Sequence, residues 1–198
     1  MSLPRGNSAA ALIEMAQNNF SRVGIEKPRF EARILLAHIL GIEPLDLISD
    51  PTRICSFKQT QKFELLVNRR VRREPISHLL GRREFWSLNF QVTRDVLDPR
   101  PDSETIVAEA LKRFPMKSEP LRVLDIGVGS GCLMLSVLHE RPQASGLGTD
   151  VSQAAINISI ANASQMGLAD RAEFKCTSWV TGIKTKFDLI LCNPPYIA

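Results

Sequence analysis

Residues 121–131 read LRVLDIGVGSG. Residues 122–126 form a short apolar run of strand length, and residues 132–140 read as a helix. Gly127, Gly129 and Gly131 stand between the two. Glycines at such a junction let the chain turn tightly and let a ligand approach the backbone, the layout of a nucleotide loop. The spacing is one residue shorter than GxGxxG, so the helix N-terminus is not obviously set for a pyrophosphate. Asp125 lies at the strand end, where a carboxylate can meet an ammonium group.

Downstream the same alternation continues. Residues 144–149 read as a second strand ending at Asp150, about 20 residues beyond the loop, where a carboxylate binds ribose hydroxyls. Its place before Val151-Ser152 also allows a helix N-cap; with the glycine loop ahead of it, ribose binding is the favoured reading. Residues 152–166 predict a helix packing through Ala154, Ala155, Ile158 and Ile160. Residues 172–176 predict a third strand, followed by Thr177-Ser178-Trp179 and a loop. The last stretch, residues 187–198, reads FDLILCNPPYIA. It is a fourth apolar strand broken by Pro194 and Pro195, and proline fixes its own φ and holds the preceding residue extended. Asn193-Pro194-Pro195-Tyr196 is then a stiff turn at the carboxyl edge of a sheet, the edge where open α/β folds bind ligands. Its carbonyls suit a ligand bringing an NH2 group and its ring suits a flat one; a plain proline turn is the other reading. Strand-helix-strand-helix-strand-loop-strand is the order of a parallel α/β sheet.

Upstream the pattern is helical. Asn7 or Ser8 can cap a helix through Phe20 with an apolar face of Leu12, Ile13, Met15, Ala16 and Phe20. A second helix is expected over 28–40, between Pro28 and Gly41, with Phe30, Ile34, Leu35, Ala37, His38 and Ile39 on a broad apolar face. The lone His38 reads as a core or boundary residue, not a ligand. Residues 43–48 predict a short helical turn. Ser56 with Gln59 forms a capping box for a helix carrying Phe63, Leu66, Val67 and Val71. Arg69, Arg70, Arg72 and Arg73 close it, either as charge set against the helix dipole or as a basic docking patch. A short helix over 75–80 and a hairpin over 84–86 and 89–92 follow. Asp102 or Ser103 can cap a helix running to Phe114. The expected organisation is a helical domain over 1–74, a linker with a hairpin over 75–98, and an α/β domain over 99–198.

Composition restricts the class. The 198 residues are 44% hydrophobic and 23% charged, as in ordinary globular proteins. No apolar run nears the roughly 18 residues of a membrane span, and the N-terminus lacks a signal-peptide layout. The net charge of +4 permits contact with nucleic acid or an acidic protein surface without demanding it. Cys55, Cys132, Cys176 and Cys192 are scattered without a CxxC pair and read as free thiols of a reducing cytoplasm; no metal site is expected.

DIGVGSG with the acidic strand end at Asp150 resembles the cofactor site of class I S-adenosylmethionine-dependent methyltransferases. NPPY resembles the signature of enzymes that methylate planar NH2 groups on adenine, cytosine or glutamine. Residues 73–90 (REPISHLLGRREFWSLNF) and 97–104 (LDPRPDSE) are similar to the HemK/PrmC family, the protein-(glutamine-N5) methyltransferases of peptide chain release factors. The resemblance runs from about Ala11 to Ala198. It implies a small helical domain for substrate recognition ahead of a Rossmann-like domain. It implies S-adenosyl-L-methionine as cofactor and the Gly-Gly-Gln glutamine of release factors as substrate, in a cytoplasmic monomer requiring neither membrane nor nucleic acid.

By the same resemblance, Asp125 and the loop of Gly127, Val128, Gly129, Ser130 and Gly131 wrap the methionine portion of the cofactor. Asp150 takes the ribose hydroxyls and Trp179 lies against the adenine. Asn193 touches cofactor and substrate. Its side chain and the Pro194 carbonyl hold the glutamine amide, with Pro195 and Tyr196 beside it; Asn193, Pro194 and Tyr196 are the expected catalytic residues. This chain has Ser178 where the family usually has Asp, Asp98 where an apolar residue is commoner, and Val128 for a common Thr. The family's sheet has three more strands after NPPY. About four are expected here, with an open edge at the fourth and weak or absent turnover by the chain alone. An adenine or cytosine amino-methyltransferase, which would flip its base, and a non-catalytic release-factor-binding chain are the alternative readings.

Overall fold

The computed structural model describes residues 7–194, and the chain divides into two compact units, Met1–Leu80 and Gly81–Ala198. In the first unit, Ser8 caps α1 (Ala9–Arg22) by accepting a hydrogen bond from Ala11 N. α2 (Pro28–Leu40) starts on its proline and stops at Gly41, whose φ of 67° is left-handed. A single turn, α3 (Asp46–Ser49), precedes α4 (Phe57–Val71). The capping box at the start of α4 is closed: Ser56 Oγ accepts from Gln59 N and Ser56 N donates to Gln59 Oε1 at 2.8 Å. α5 (Ile76–Leu80) ends the unit. Phe20, Leu35, Leu36, Phe63 and Val67 form its buried centre.

Two expectations for α2 fail. His38 is exposed and Phe30 is 55% exposed. The buried residues are Ala32, Leu35, Leu36 and Ala37, and at 100° per residue both Phe30 and His38 fall far from their mean direction.

The second unit opens with a hairpin of β1 (Arg82–Phe85) and β2 (Leu88–Gln91). Trp86 is its turn, not its strand. Trp86 and Ser87 have φ of 53° and 56°, the doubly left-handed form that matches strand twist in two-residue turns. Neither is glycine, and outside bonds hold the turn: Trp86 N donates to Glu104 Oε1 at 2.9 Å and its indole N–H to Glu140 Oε1 at 3.1 Å.

A 3-10 turn, Pro101–Ser103, leads into α6 (Glu104–Arg113). The expected side-chain cap from Asp102 or Ser103 is not formed, because Ser103 already has helical φ and ψ. Next come β3 (Leu121–Ile126), α7 (Cys132–Glu140), β4 (Ala144–Asp150), α8 (Gln153–Gln165), β5 (Ala172–Cys176) and β6 (Leu189–Cys192). All pairings in the sheet are parallel, in the order β5-β4-β3-β6. Entry of β6 is registered by Asp188, which exchanges bonds with the backbone of Arg122. α8 buries Ala155, Ile156, Ile158 and Ala163, while Ala154 and Ile160, expected to pack, face out. Strand order reverses direction at β3, so the crevice at the carboxyl ends of β3, β4 and β6 is the topological switch point.

Candidate functional site

Three strand ends meet at that crevice. β3 runs out into the glycine loop, which bends over the end of β4: Gly127 N and Val128 N both donate to Thr149 O, at 2.8 and 2.9 Å. The approach is close because β4 carries Gly148, where a Cβ would lie 2.8 Å from Val128 Cγ2. Gly131 ends the loop at φ 83° and begins α7. A Cβ there would meet Leu135 Cδ1 at 2.9 Å, so both conformation and space require glycine.

Asp150 holds the loop as well. Its Oδ2 accepts from Gly129 N at 3.0 Å and its Oδ1 from Ser152 N at 2.9 Å. The N-cap of α8 is Ser152, whose hydroxyl accepts from Ala155 N. Asp150 thus organises the turn and still faces the cavity, where each carboxylate oxygen retains acceptor capacity for a hydroxyl. Thr177 N donates to Asp150 O at 2.8 Å and docks the next loop, which presents Trp179 at φ 51° and 64% exposed.

Asp125 sits differently. It is 1% exposed, and its Oδ2 accepts from Met134 N at 3.3 Å, in the first turn of α7. Burial pushes its carboxyl up to about 7; the Met134 N–H opposes this and the Asp150 charge adds to it. Val128, Ser130 and Gly131 are likewise buried behind the loop.

At the end of β6, Asn193 Nδ2 donates to Ser103 Oγ at 3.0 Å. With Nδ2 directed at Ser103, the acceptor of this side chain is its Oδ1. Pro194 follows and is exposed; Pro195 and Tyr196 lie outside the described residues. A cavity of about 370 Å³ is lined by Gly127, Gly129, Asp150, Trp179, Asn193 and Pro194, a size typical of a small-ligand site. Cys192 also lines it, with its thiol pushed up by burial and then by Asp125.

The structure adds roles that the sequence pattern did not assign. Asp95, Val96 and Leu97 form a wall of the cavity. Ser103 orients Asn193 from ninety positions away in the chain. Ser159 Oγ donates to Gly129 O at 2.7 Å, and Asn162 Nδ2 to Ser130 O at 2.8 Å. A lone Ser or Asn within a helical pattern carries no local sign of such a partner. In the helical unit, Arg69 pairs with Glu74, Arg70 with Glu31, and Arg73 bonds Val23 O. Three of the four arginines of the basic run are thus committed internally.

Comparison with known proteins gives the same picture. The PrmC N-terminal domain family matches residues 11–81, and the methyltransferase small domain family matches residues 104–198. The release factor glutamine methyltransferase of Caulobacter vibrioides is 42% identical over 183 residues, spanning 92% of this chain and 63% of that protein. The protein of the same name from Agrobacterium fabrum is 34% identical, over 97% of this chain and 68% of that one. The chain thus spans about two thirds of the length of these relatives. A solved structure described as the delta-N METTL16 MTase domain aligns at a TM-score of 0.50 with 24% identity, over 59% of this chain and 56% of that one, a likeness of fold. Two family matches in tandem and relatives aligned along nearly its whole length make this chain a member of the HemK/PrmC family of release factor glutamine methyltransferases.

Proposed function

We propose that this chain carries the cofactor site and the amide-holding turn of an enzyme that methylates the Gly-Gly-Gln glutamine of peptide chain release factors. The observation that carries the reading is the placement of Asn193 and Pro194 in one cavity with Asp150, Trp179 and the glycine loop. The residues fit S-adenosyl-L-methionine. Gly127 and Gly129 offer bare backbone, Asp150 offers acceptors for two ribose hydroxyls, and Trp179 offers an exposed face for the adenine. Asp125, Val128, Ser130 and Gly131 shape the loop from behind.

Bound there, the cofactor would supply a sulfonium methyl to the amide nitrogen, its sulfur keeping the electrons of the S–C bond and the amide giving up a proton to solvent. An amide nitrogen is a poor nucleophile because its lone pair is delocalised. Asn193 Oδ1 and the Pro194 carbonyl accept the two N–H bonds of the glutamine, turn its lone pair toward the methyl, and stabilise the positive charge growing on the nitrogen. Ser103 keeps Asn193 in the orientation this requires. Pro195 and Tyr196, next in the sequence, are assigned to substrate contact by the family resemblance alone. The helical unit, which α5 closes, recognises the release factor. The enzyme works as a cytoplasmic monomer, a setting that the four unbridged cysteines suit.

Calorimetric titration with S-adenosylhomocysteine tests the cofactor site, and Asp150→Ala is expected to lose saturable binding. Transfer of labelled methyl to a release factor, absent when its loop glutamine is replaced, tests the substrate. Binding that survives Asp150→Ala, or label on nucleic acid and none on release factor, would overturn the reading.

A further inference from the structure

Asn162 is fully buried in α8 and does not line the cavity, yet it joins two of the cavity's walls. Its Oδ1 accepts from Gln91 N at 2.7 Å, and its Nδ2 donates to Gln91 O at 3.0 Å and to Ser130 O at 2.8 Å. Ser130 belongs to the glycine loop, next to Gly129. Gln91 ends β2, four residues before Asp95, and the chain between is stiff. Thr93 Oγ1 donates to Asp95 Oδ2 at 2.9 Å and accepts from Asp95 N at 3.1 Å, while Val96 N donates to Thr93 O at 3.2 Å. Both donor hydrogens and the acceptor of the Asn162 amide are committed, each to backbone. A three-point bond of this kind fixes two segments at one separation, because a side-chain amide cannot slide along either partner.

We propose that Asn162 is a positioning residue that sets the gap between the wall at Asp95–Leu97 and the glycine loop, and so the fit of the nucleoside cofactor between them. The cofactor clause rests on the function proposed above; the tether itself does not. Residue-resolved amide exchange on the full chain, without ligand, tests the tether. Asn162→Ala is expected to speed exchange at Gly129 and Val96 about tenfold relative to core amides such as Val123. The acceptors of those two amides, Asp150 and Thr93, are untouched by the substitution. Val107→Ala, a core truncation in α6, serves as the control for general loss of stability and is expected to leave that ratio unchanged.

Unchanged relative protection at Gly129 and Val96 in Asn162→Ala would overturn the tether. Titration with S-adenosylhomocysteine well below the melting temperature is then expected to show roughly tenfold weaker binding by Asn162→Ala and wild-type binding by Val107→Ala. Equal weakening in both variants would overturn the positioning role. Faster exchange in Asn162→Ala, together with a wild-type chain that takes up no S-adenosylhomocysteine, would support the tether and refute the cofactor reading instead.

Discussion

Asp125 shows how position in the fold changes a residue's chemistry. From sequence it is a carboxylate at a strand end, ready for an ammonium group. In the structure it is enclosed, caps α7 through Met134 N, and titrates near 7 instead of 3.8. The folded chain therefore keeps a proton that the unfolded chain releases. The stability linked to this group is fully present below the unfolded pKa and is lost as pH rises through about 7. Asp125→Asn preserves an acceptor for Met134 N and removes the titration. Its unfolding free energy is expected to fall less steeply than that of wild type between about pH 4 and about pH 7, as measured by urea denaturation. Asp150 was readable as a ligand for hydroxyls and as a capping group, and its two oxygens divide between Gly129 N and Ser152 N. Ser103 was legible only as a helix cap and Asn162 not at all, because their partners are 90 and 71 or 32 positions away.

At the scale of elements the local rules worked where the interaction is local. The capping box of Ser56 and Gln59 spans three residues, and it closes as read. Ser56→Ala removes the acceptor for Gln59 N at an exposed helix start and is expected to cost about 1 kcal/mol, seen as a lower denaturant midpoint with unchanged slope. Rules that assume solvent or a neighbour fared worse. Trp86 has the composition of a strand residue, and it becomes a left-handed turn because Glu104 and Glu140 hold it there. Ala154 and Ile160 are apolar but lie off the arc of α8 that meets the sheet, whereas Ser159 and Asn162 lie on it.

At the scale of the whole molecule, the described residues form two hydrophobic cores that share no residue, one around Phe20, Leu35 and Phe63, the other around Val123, Met134 and Leu138. Phe63→Ala is expected to destabilise the helical unit by about 3–5 kcal/mol and to leave amide protection in β3 and β4 at the wild-type level; a parallel loss there in exchange measurements would contradict this. No helix among the described residues is long and apolar enough to cross a membrane. The succession of strands and helices, the glycine loop and the acidic end of β4 were legible from the amino-acid order alone. Each of these is written in neighbouring residues, as hydrophobic period, backbone permission or a capping spacing. Which strand lies beside which, the inward turn of Asp125, and the bonds from Ser103 to Asn193 and from Asn162 to Gln91 and Ser130 were not legible there. Those outcomes depend on burial and on bonds between distant segments, which exist only once the chain has packed.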